Sequence, residues 1–324
     1  MHHAETVAKV LASGKTVAGT HRPIMVAEIM AVLDPKAGES AVDGTLGYGG
    51  HSQEILARIL PGGRLLGLDA DPIELPKTEA RLRALHYGPE AFSAHVGNFA
   101  GLPQVLAKAG LSGVDMVLVD LGVSSMQIDD PARGFSVKLD GPLDMRMNPR
   151  HGRSASVWLE KTSVKVLTKV LVDNADEPHA ARLALVLAGR VFAQTTELVE
   201  AIHEGIQEMA AEERTQSVRR VFQALRIAVN DEFGALDSFL RTLPACLNPG
   251  GRAAVLTFHS GEDRRGKKAF AAGFAAGVYG SIAEEVIRAS AAERYANPRS
   301  TSAKLRWAVR AQTERNRRVP NEEL

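Results

Sequence analysis

Three short apolar runs, each closing on an aspartate, constrain this chain more than any other feature of its sequence. They are Ser40-Ala-Val-Asp43, Arg64-Leu-Leu-Gly-Leu-Asp69 and Val114-Asp-Met-Val-Leu-Val-Asp120, with helix-like segments between them. A short continuous apolar run between turn signals is the pattern of a strand buried on both faces, as in a parallel sheet covered by helices. Ligands of such open sheets gather outside the carboxyl ends of the strands. The three aspartates are therefore expected side by side along one edge. The pattern returns late in the chain, where Leu247-Asn-Pro-Gly-Gly-Arg reads as a turn and Ala253-Ala-Val-Leu-Thr-Phe258 as a strand ending in His259-Ser260. The fold class is α/β, a doubly wound, Rossmann-like sheet.

Between these two groups of strands the texture changes. From residue 154 to about 214 the apolar spacing is helical, as in Val164, Leu167, Leu171 and Leu183, Val186, Leu187, and predicts a helical insertion. A return helix is expected from Ser217 to Leu247, with Phe222, Leu225, Val229, Phe233, Leu236 and Leu240 on one apolar stripe. Pro76 predicts that the helix after Asp69 starts late or kinks. The chain then divides into a loose leader at 1–20, a first part of the main domain at 21–135, a helical insertion at 136–214, and a second part at 215–324 with a basic end. The leader lacks the apolar core and small-residue cleavage site of a secretory signal.

Composition excludes several classes. With 45% hydrophobic and 24% charged residues among 324, wholesale disorder is ruled out. The single cysteine, Cys246, allows neither an intramolecular disulfide nor a cysteine-based zinc site, which fits a reducing compartment. The uncharged stretch at 269–283, mostly Ala and Gly, is too short and too weakly apolar to span a bilayer, and reads as a helical pair or a loop. No membrane partner and a cytoplasmic location are expected. The net charge of +1 hides a contrast: residues 173–213 hold 9 acidic and 2 basic side chains, whereas 294–318 hold 8 basic and 1 acidic. Such basic segments suit phosphate contacts or are simply solvated.

Asp43-Gly-Thr-Leu-Gly47-Tyr-Gly49-Gly50-His51 joins the first run to a helix beginning near His51. Glycine lets backbone approach a ligand or take positive φ, and a helix start offers free N–H groups. A tight strand-to-helix turn without ligand has the same composition. The dinucleotide spacing G-x-G-x-x-G would need glycine where Ser52 stands, and no G-K-[ST] follows for a nucleoside triphosphate. Asp43, Gly47, Gly49 and the strand-terminal Asp69 instead match the pattern of S-adenosylmethionine (AdoMet) sites. There a second-strand carboxylate accepts hydrogen bonds from both ribose hydroxyls. His51 and His259 lack further metal ligands at recognisable spacing, and Gly122-Val-Ser124-Ser125-Met126 is not the G-x-S-x-G of a serine hydrolase.

A longer set of segments carries a resemblance. Asp43-Gly-Thr-Leu-Gly-Tyr-Gly-Gly-His-Ser52, Asp120-Leu-Gly-Val-Ser-Ser-Met-Gln-Ile-Asp-Asp130, Arg133-Gly-Phe-Ser136, Asp140-Gly-Pro-Leu-Asp-Met-Arg-Met147, Phe222-Gln-Ala-Leu-Arg-Ile227, Phe258-His-Ser260 with Glu262-Asp-Arg264, and Asn297-Pro-Arg-Ser300 run in order along nearly the whole chain. Together they resemble the ribosomal RNA small-subunit methyltransferase H family, also called MraW. The resemblance implies a class I methyltransferase fold with an inserted helical substrate domain and AdoMet as cofactor. It further implies methylation of the exocyclic N4 of a cytidine in the decoding region of 16S ribosomal RNA, with the small ribosomal subunit as partner. Carried over by position, the cofactor contacts are Gly49, Gly50, His51, Asp69, Phe99, Asp120 and Gln127, with Phe99 either stacked on adenine or packed in the core. Two other classes stay open: an AdoMet enzyme acting on DNA or a small molecule, and a non-catalytic assembly factor keeping the fold. Oligomeric state is not legible, a homodimer being one admissible arrangement.

The chain departs from the family at Asn174-Ala-Asp-Glu-Pro-His179, at Gly261, where a bulkier apolar residue is usual, and before Asn297, where a Lys-Pro pair is missing. These departures touch RNA contacts, not the cofactor site.

A cytosine amino group is a poor nucleophile because its lone pair is conjugated with the ring. An enzyme must align it with the methyl donor and accept a hydrogen bond from it. Asp120 or the Leu121 carbonyl is the candidate acceptor. A base drawn out of its stack needs an aromatic platform, for which Trp158 ranks ahead of Phe135. Asp144, with Asp140 and Arg146, is expected to order a substrate loop or contact RNA. Arg226 and Asn230, one turn apart, point either into the cleft or onto the Asp144 loop.

Overall fold

A computed structural model describes residues 23–312. The expected leader at 1–20 and the basic residues beyond 312 lie outside the described residues. The three Asp-terminated runs form β1 (Ser40–Asp43), β2 (Arg64–Asp69) and β4 (Val114–Asp120). A further strand, β3 (Phe92–Val96), has no counterpart in the sequence reading, because Ser93 and His95 interrupt its apolar run at the sheet edge. Completed by β5 (Leu247–Thr257), β6 (Tyr279–Ile282) and β7 (Lys304–Arg310), the sheet has the order β3-β2-β1-β4-β5-β7-β6. The strands from β1 to β5 run parallel, and β7 lies antiparallel between β5 and β6.

Both faces of this sheet are buried, and alternate residues of each strand feed opposite cores. Leu65, Met116 and Leu118 pack on one side against Ile29 and Leu33 of α1 (Val26–Leu33) and Ile55 and Leu56 of α2 (Gly50–Ile59). Leu66, Leu68, Val117 and Val119 pack on the other against Leu106 of α4 (Leu102–Lys108), Phe239 and Leu243 of α11 (Glu232–Cys246) and Phe270 of α12 (Ser260–Ala275). Each such leucine, removed from water, contributes about 1.5–3 kcal/mol. Pro76 is accommodated in the first turn of α3 (Leu75–Ala84), where its missing N–H is not needed.

A short helix α5 (Ser125–Asp129) and a long loop follow β4, and four helices then build a separate apolar cluster: α6 (Ala155–Glu160), α7 (Val164–Ala175), α8 (Ala180–Leu187) and α9 (Thr195–Gly205). Leu159, Leu171, Leu183 and Ile202 are fully buried there, and Val221 and Leu225 of α10 (Ala211–Asn230) complete it.

Two expectations need correction. The return helix is two helices, because Asp231 takes a left-handed conformation at φ 48° and ends α10. The Asn-Pro-Gly-Gly segment lies within β5 as an irregularity, since the pairing to β4 jumps from Leu247 opposite Val114 to Arg252 opposite Met116. Within the basic end, Lys304 to Arg310 forms an interior strand, in which Arg306 is buried and paired with Asp263 at 2.6 Å. The Ala/Gly stretch resolves into the end of α12 and the strand β6. No helix among the described residues is long and apolar enough to cross a membrane.

Candidate active site

The parallel register sets the depth of the three aspartates. Asp43 stands opposite Gly67 and Leu118, so Asp69 and Asp120 each reach two residues further toward the carboxyl edge. Asp43 is accordingly buried and structural: its Oδ1 accepts from the Thr45 N–H at 3.1 Å and its Oδ2 from the Ser52 hydroxyl at 2.7 Å, folding the glycine turn onto α2. Burial raises its pKa.

Gly47 takes φ +49°, and a Cβ there would meet nothing within 4 Å except the Thr45 carbonyl at 3.7 Å. Its backbone thus faces open space. The Gly47 N–H donates to Asp69 Oδ2 at 2.7 Å, and the Asp71 N–H donates to Asp69 Oδ1 at 2.8 Å. Desolvation outweighs these two bonds and, with Asp71 and Asp43 nearby, lifts the Asp69 pKa to about 6. Each oxygen keeps a lone pair for a further donor. Gly49, at φ +82°, ends the turn and caps α2; a side chain there would press within 2.9 Å of Thr78, so Gly49 and its neighbour Gly50 shape the loop.

Asp120 is tied in at its backbone, whose N–H donates to Thr45 Oγ1 at 2.6 Å, while 27% of its side chain remains exposed. His51 lies beneath it. The Nε2 of His51 is 2.9 Å from the Ile24 carbonyl, which can only accept, so the Nε2 carries a proton and Nδ1 faces Asp120 Oδ2 at 3.6 Å. Burial chiefly raises the Asp120 pKa, His51 opposes, Asp43 and Glu262 add, and the result is about 6. Phe99, just past β3, flanks the glycine turn: a Cβ on Gly44 would sit 3.1 Å from its Cβ, and its ring meets Phe239 edge-on at 5.5 Å. It therefore packs into the core while bordering the site.

Gln127 is spent on structure. It forms a capping box with Ser124, and its Nε2 donates to Asp71 Oδ2 at 2.9 Å. Asp71 is a residue that sequence reasoning missed. It is buried, accepts the Ile73 N–H at 2.9 Å, and pairs with Arg133 Nη1 at 2.6 Å. The other arm of that guanidinium donates to the carbonyls of Arg146 at 3.0 Å and Met147 at 2.9 Å. One side chain thus joins the cofactor edge to the loop carrying Asp144. The available signals were the second acid of Asp69-Ala-Asp71 and the arginine of Arg133-Gly-Phe-Ser136.

On the substrate side, Asp144 holds Arg146 bidentately at 2.8 and 2.7 Å. Arg226 does not reach this loop: it pairs with Glu232 at 2.8 and 2.9 Å, both side chains largely buried. Asn230 makes the contact instead, accepting from the Met147 N–H at 2.7 Å and donating to the Met145 carbonyl at 2.8 Å. Trp158, on α6, packs half-buried against the helical cluster. Glu262, at the start of α12, would be raised by burial, but His259 and Arg226 hold it below the usual range. Its Oε1 lies 3.1 Å from His259 Nε2. Gly261 is explained by Phe233, whose Cζ would stand 2.6 Å from an added Cβ. Among the described residues no three His, Cys, Asp or Glu side chains group as metal ligands.

A mainly parallel sheet of this order, with acids at the ends of β1, β2 and β4 around an open glycine turn, defines a class I AdoMet-dependent methyltransferase. The chain belongs to the MraW methylase family, whose pattern matches residues 18–311. It is 45% identical over 318 residues to a ribosomal RNA small subunit methyltransferase H 1 of Lachnoclostridium phytofermentans, covering 95% of this chain and 86% of that one. It is 46% identical to a methyltransferase H 2 of the same name from Alkaliphilus metalliredigens, covering 95% and 90%. Among solved structures, a SAM-dependent O-methyltransferase from Thermotoga maritima is similar with TM-score 0.40 and 9% identity, over 90% of this chain and 66% of that one.

Proposed function

We propose that this enzyme transfers a methyl group from AdoMet to the exocyclic N4 of a cytidine in the decoding region of 16S ribosomal RNA, in the cytoplasm. The observation that carries the reading is Asp120: a carboxylate at the end of β4, partly exposed, two residues beyond the buried Asp43 and beside the open glycine turn. The names of the relatives, ribosomal RNA small subunit methyltransferases, support the substrate.

The residues present fit the cofactor. Asp69 offers two carboxylate oxygens for a pair of hydroxyls, Gly47 leaves room for a ligand against its backbone, and Phe99 borders the same space. When bound, AdoMet supplies an electrophilic methyl on a sulfonium. Asp120 accepts a hydrogen bond from the target amine, drawing it out of conjugation with the ring, and takes the proton as the new bond forms. His51, its Nε2 held by the Ile24 carbonyl, keeps its ring packed beside the Asp120 carboxylate. The helices at 136–214 serve as the substrate domain, set between the methyltransferase parts at 21–135 and 215–324, and Trp158 is the platform for the displaced base. Asp144 and Arg226 act by shaping the walls of the cleft. The test is to incubate the enzyme with labelled AdoMet and small subunits from a strain lacking this modification. Label in N4-methylcytidine is expected; label in another nucleoside, or none, removes the reading.

A further inference from the structure

We propose that the turn at 146–154 is a contact for the RNA backbone, presenting Arg150 and Arg153 to phosphates beside the methylated base. This rests on the function above and says where the RNA chain lies. The turn is shaped before any substrate arrives. Its base is held by Arg133 through the Arg146 and Met147 carbonyls and by Asn230 through the Met147 N–H. Its tip closes on Asn148, whose Oδ1 accepts from the Arg150 N–H at 3.0 Å and whose carbonyl accepts from the His151 N–H at 3.2 Å. Across the turn, Arg146 Nη1 donates to the Gly152 carbonyl at 3.4 Å, and Ser154 then caps α6, the helix of Trp158.

Arg146 and Arg133 are consumed by Asp144 and Asp71. Arg150 and Arg153 are both exposed, and among the described residues neither has an acidic partner. An exposed arginine usually does nothing but meet water. Here two of them project from backbone anchored to the cofactor edge, one turn of chain ahead of the base platform. Guanidinium matches phosphate geometry bidentately, and a backbone already ordered loses little freedom when it binds.

The test uses the full chain and small ribosomal subunits. The Arg150→Gln/Arg153→Gln enzyme is expected to raise KM for the subunit about tenfold near 200 mM salt and to lower the slope of log KM against log salt by about 1.5. AdoMet affinity and kcat stay as in the wild type. Lys36→Gln/Lys108→Gln, which removes two exposed cations at the opposite edge of the sheet, leaves the slope unchanged. An unchanged KM and slope for the arginine pair, or an equal loss in the lysine pair, overturns the proposal. If the wild type methylates no subunits, the function itself falls, and the same slopes from filter binding of small-subunit RNA then judge the turn alone.

Discussion

The cofactor edge and the loop at 140–154 hold their aspartates in opposite ways. Asp43 and Asp69 are fixed by backbone N–H groups and a hydroxyl of two adjoining strand-turn-helix units. Asp144 is fixed by a neighbouring guanidinium, and the loop around it by residues far along the chain. Arg133 reaches Asp71 across 62 positions, and Asn230 reaches Met147 across 83. A site built from local backbone tolerates change elsewhere, whereas one built from distant side chains fails when a single clamp is lost.

The largest effect that sharpens this contrast is at Arg133. Arg133→Gln leaves Asp71 buried without its cation and is expected to cost about 3–5 kcal/mol of stability in urea unfolding. Adding Asp71→Asn recovers part of it; equal stabilities for wild type and Arg133→Gln would show that the clamp is dispensable. Next, Asp120→Asn is expected to lower kcat at least a hundredfold, about 2.7 kcal/mol, while AdoMet affinity stays within about threefold. Full turnover at saturating cofactor would leave Asp120 as a cofactor contact only. At Gly261→Ala the new methyl meets Phe233, with an expected loss of about 1–2 kcal/mol that Phe233→Leu restores.

The smallest effect is a pH dependence of cofactor binding. Asp69 must be ionised to accept the ribose hydroxyls, and its pKa in the free enzyme is raised to about 6. Protonation therefore competes with binding as pH falls through 6. Between pH 7 and 5 the AdoMet Kd should weaken about tenfold, as titration calorimetry would read it. Asp69→Asn binds weakly without that slope, and a flat profile in the wild type would remove the assignment.

The same contrast explains what could be read from residues alone. Strands β1, β2 and β4 were apparent because two buried faces demand unbroken apolar runs, and Asp43, Asp69 and Asp120 were placed by the ends of those runs. Strand β3 escaped notice because an edge strand admits Ser93 and His95, and β7 because its arginine and lysine are neutralised by Asp263, a partner some forty positions away. Asp231, which divides the return helix, is a residue type that tolerates the left-handed conformation, but the apolar stripe continues across it and hid the break. Arg226 and Asn230 were correctly seen on one helix, but which of them touches the loop depends on where Glu232 lies after that break.

Strand β7 has a consequence for how the protein is made. It enters the sheet between β5 and β6, although it is the last strand among the described residues. Until residue 310 has been synthesised, β5 presents a bare row of peptide groups along Arg252 to Thr257, the edge that invites pairing with a neighbouring nascent chain. A message truncated before residue 304 would thus yield a product with its glycine turn and acids intact, yet one prone to aggregate rather than to catalyse.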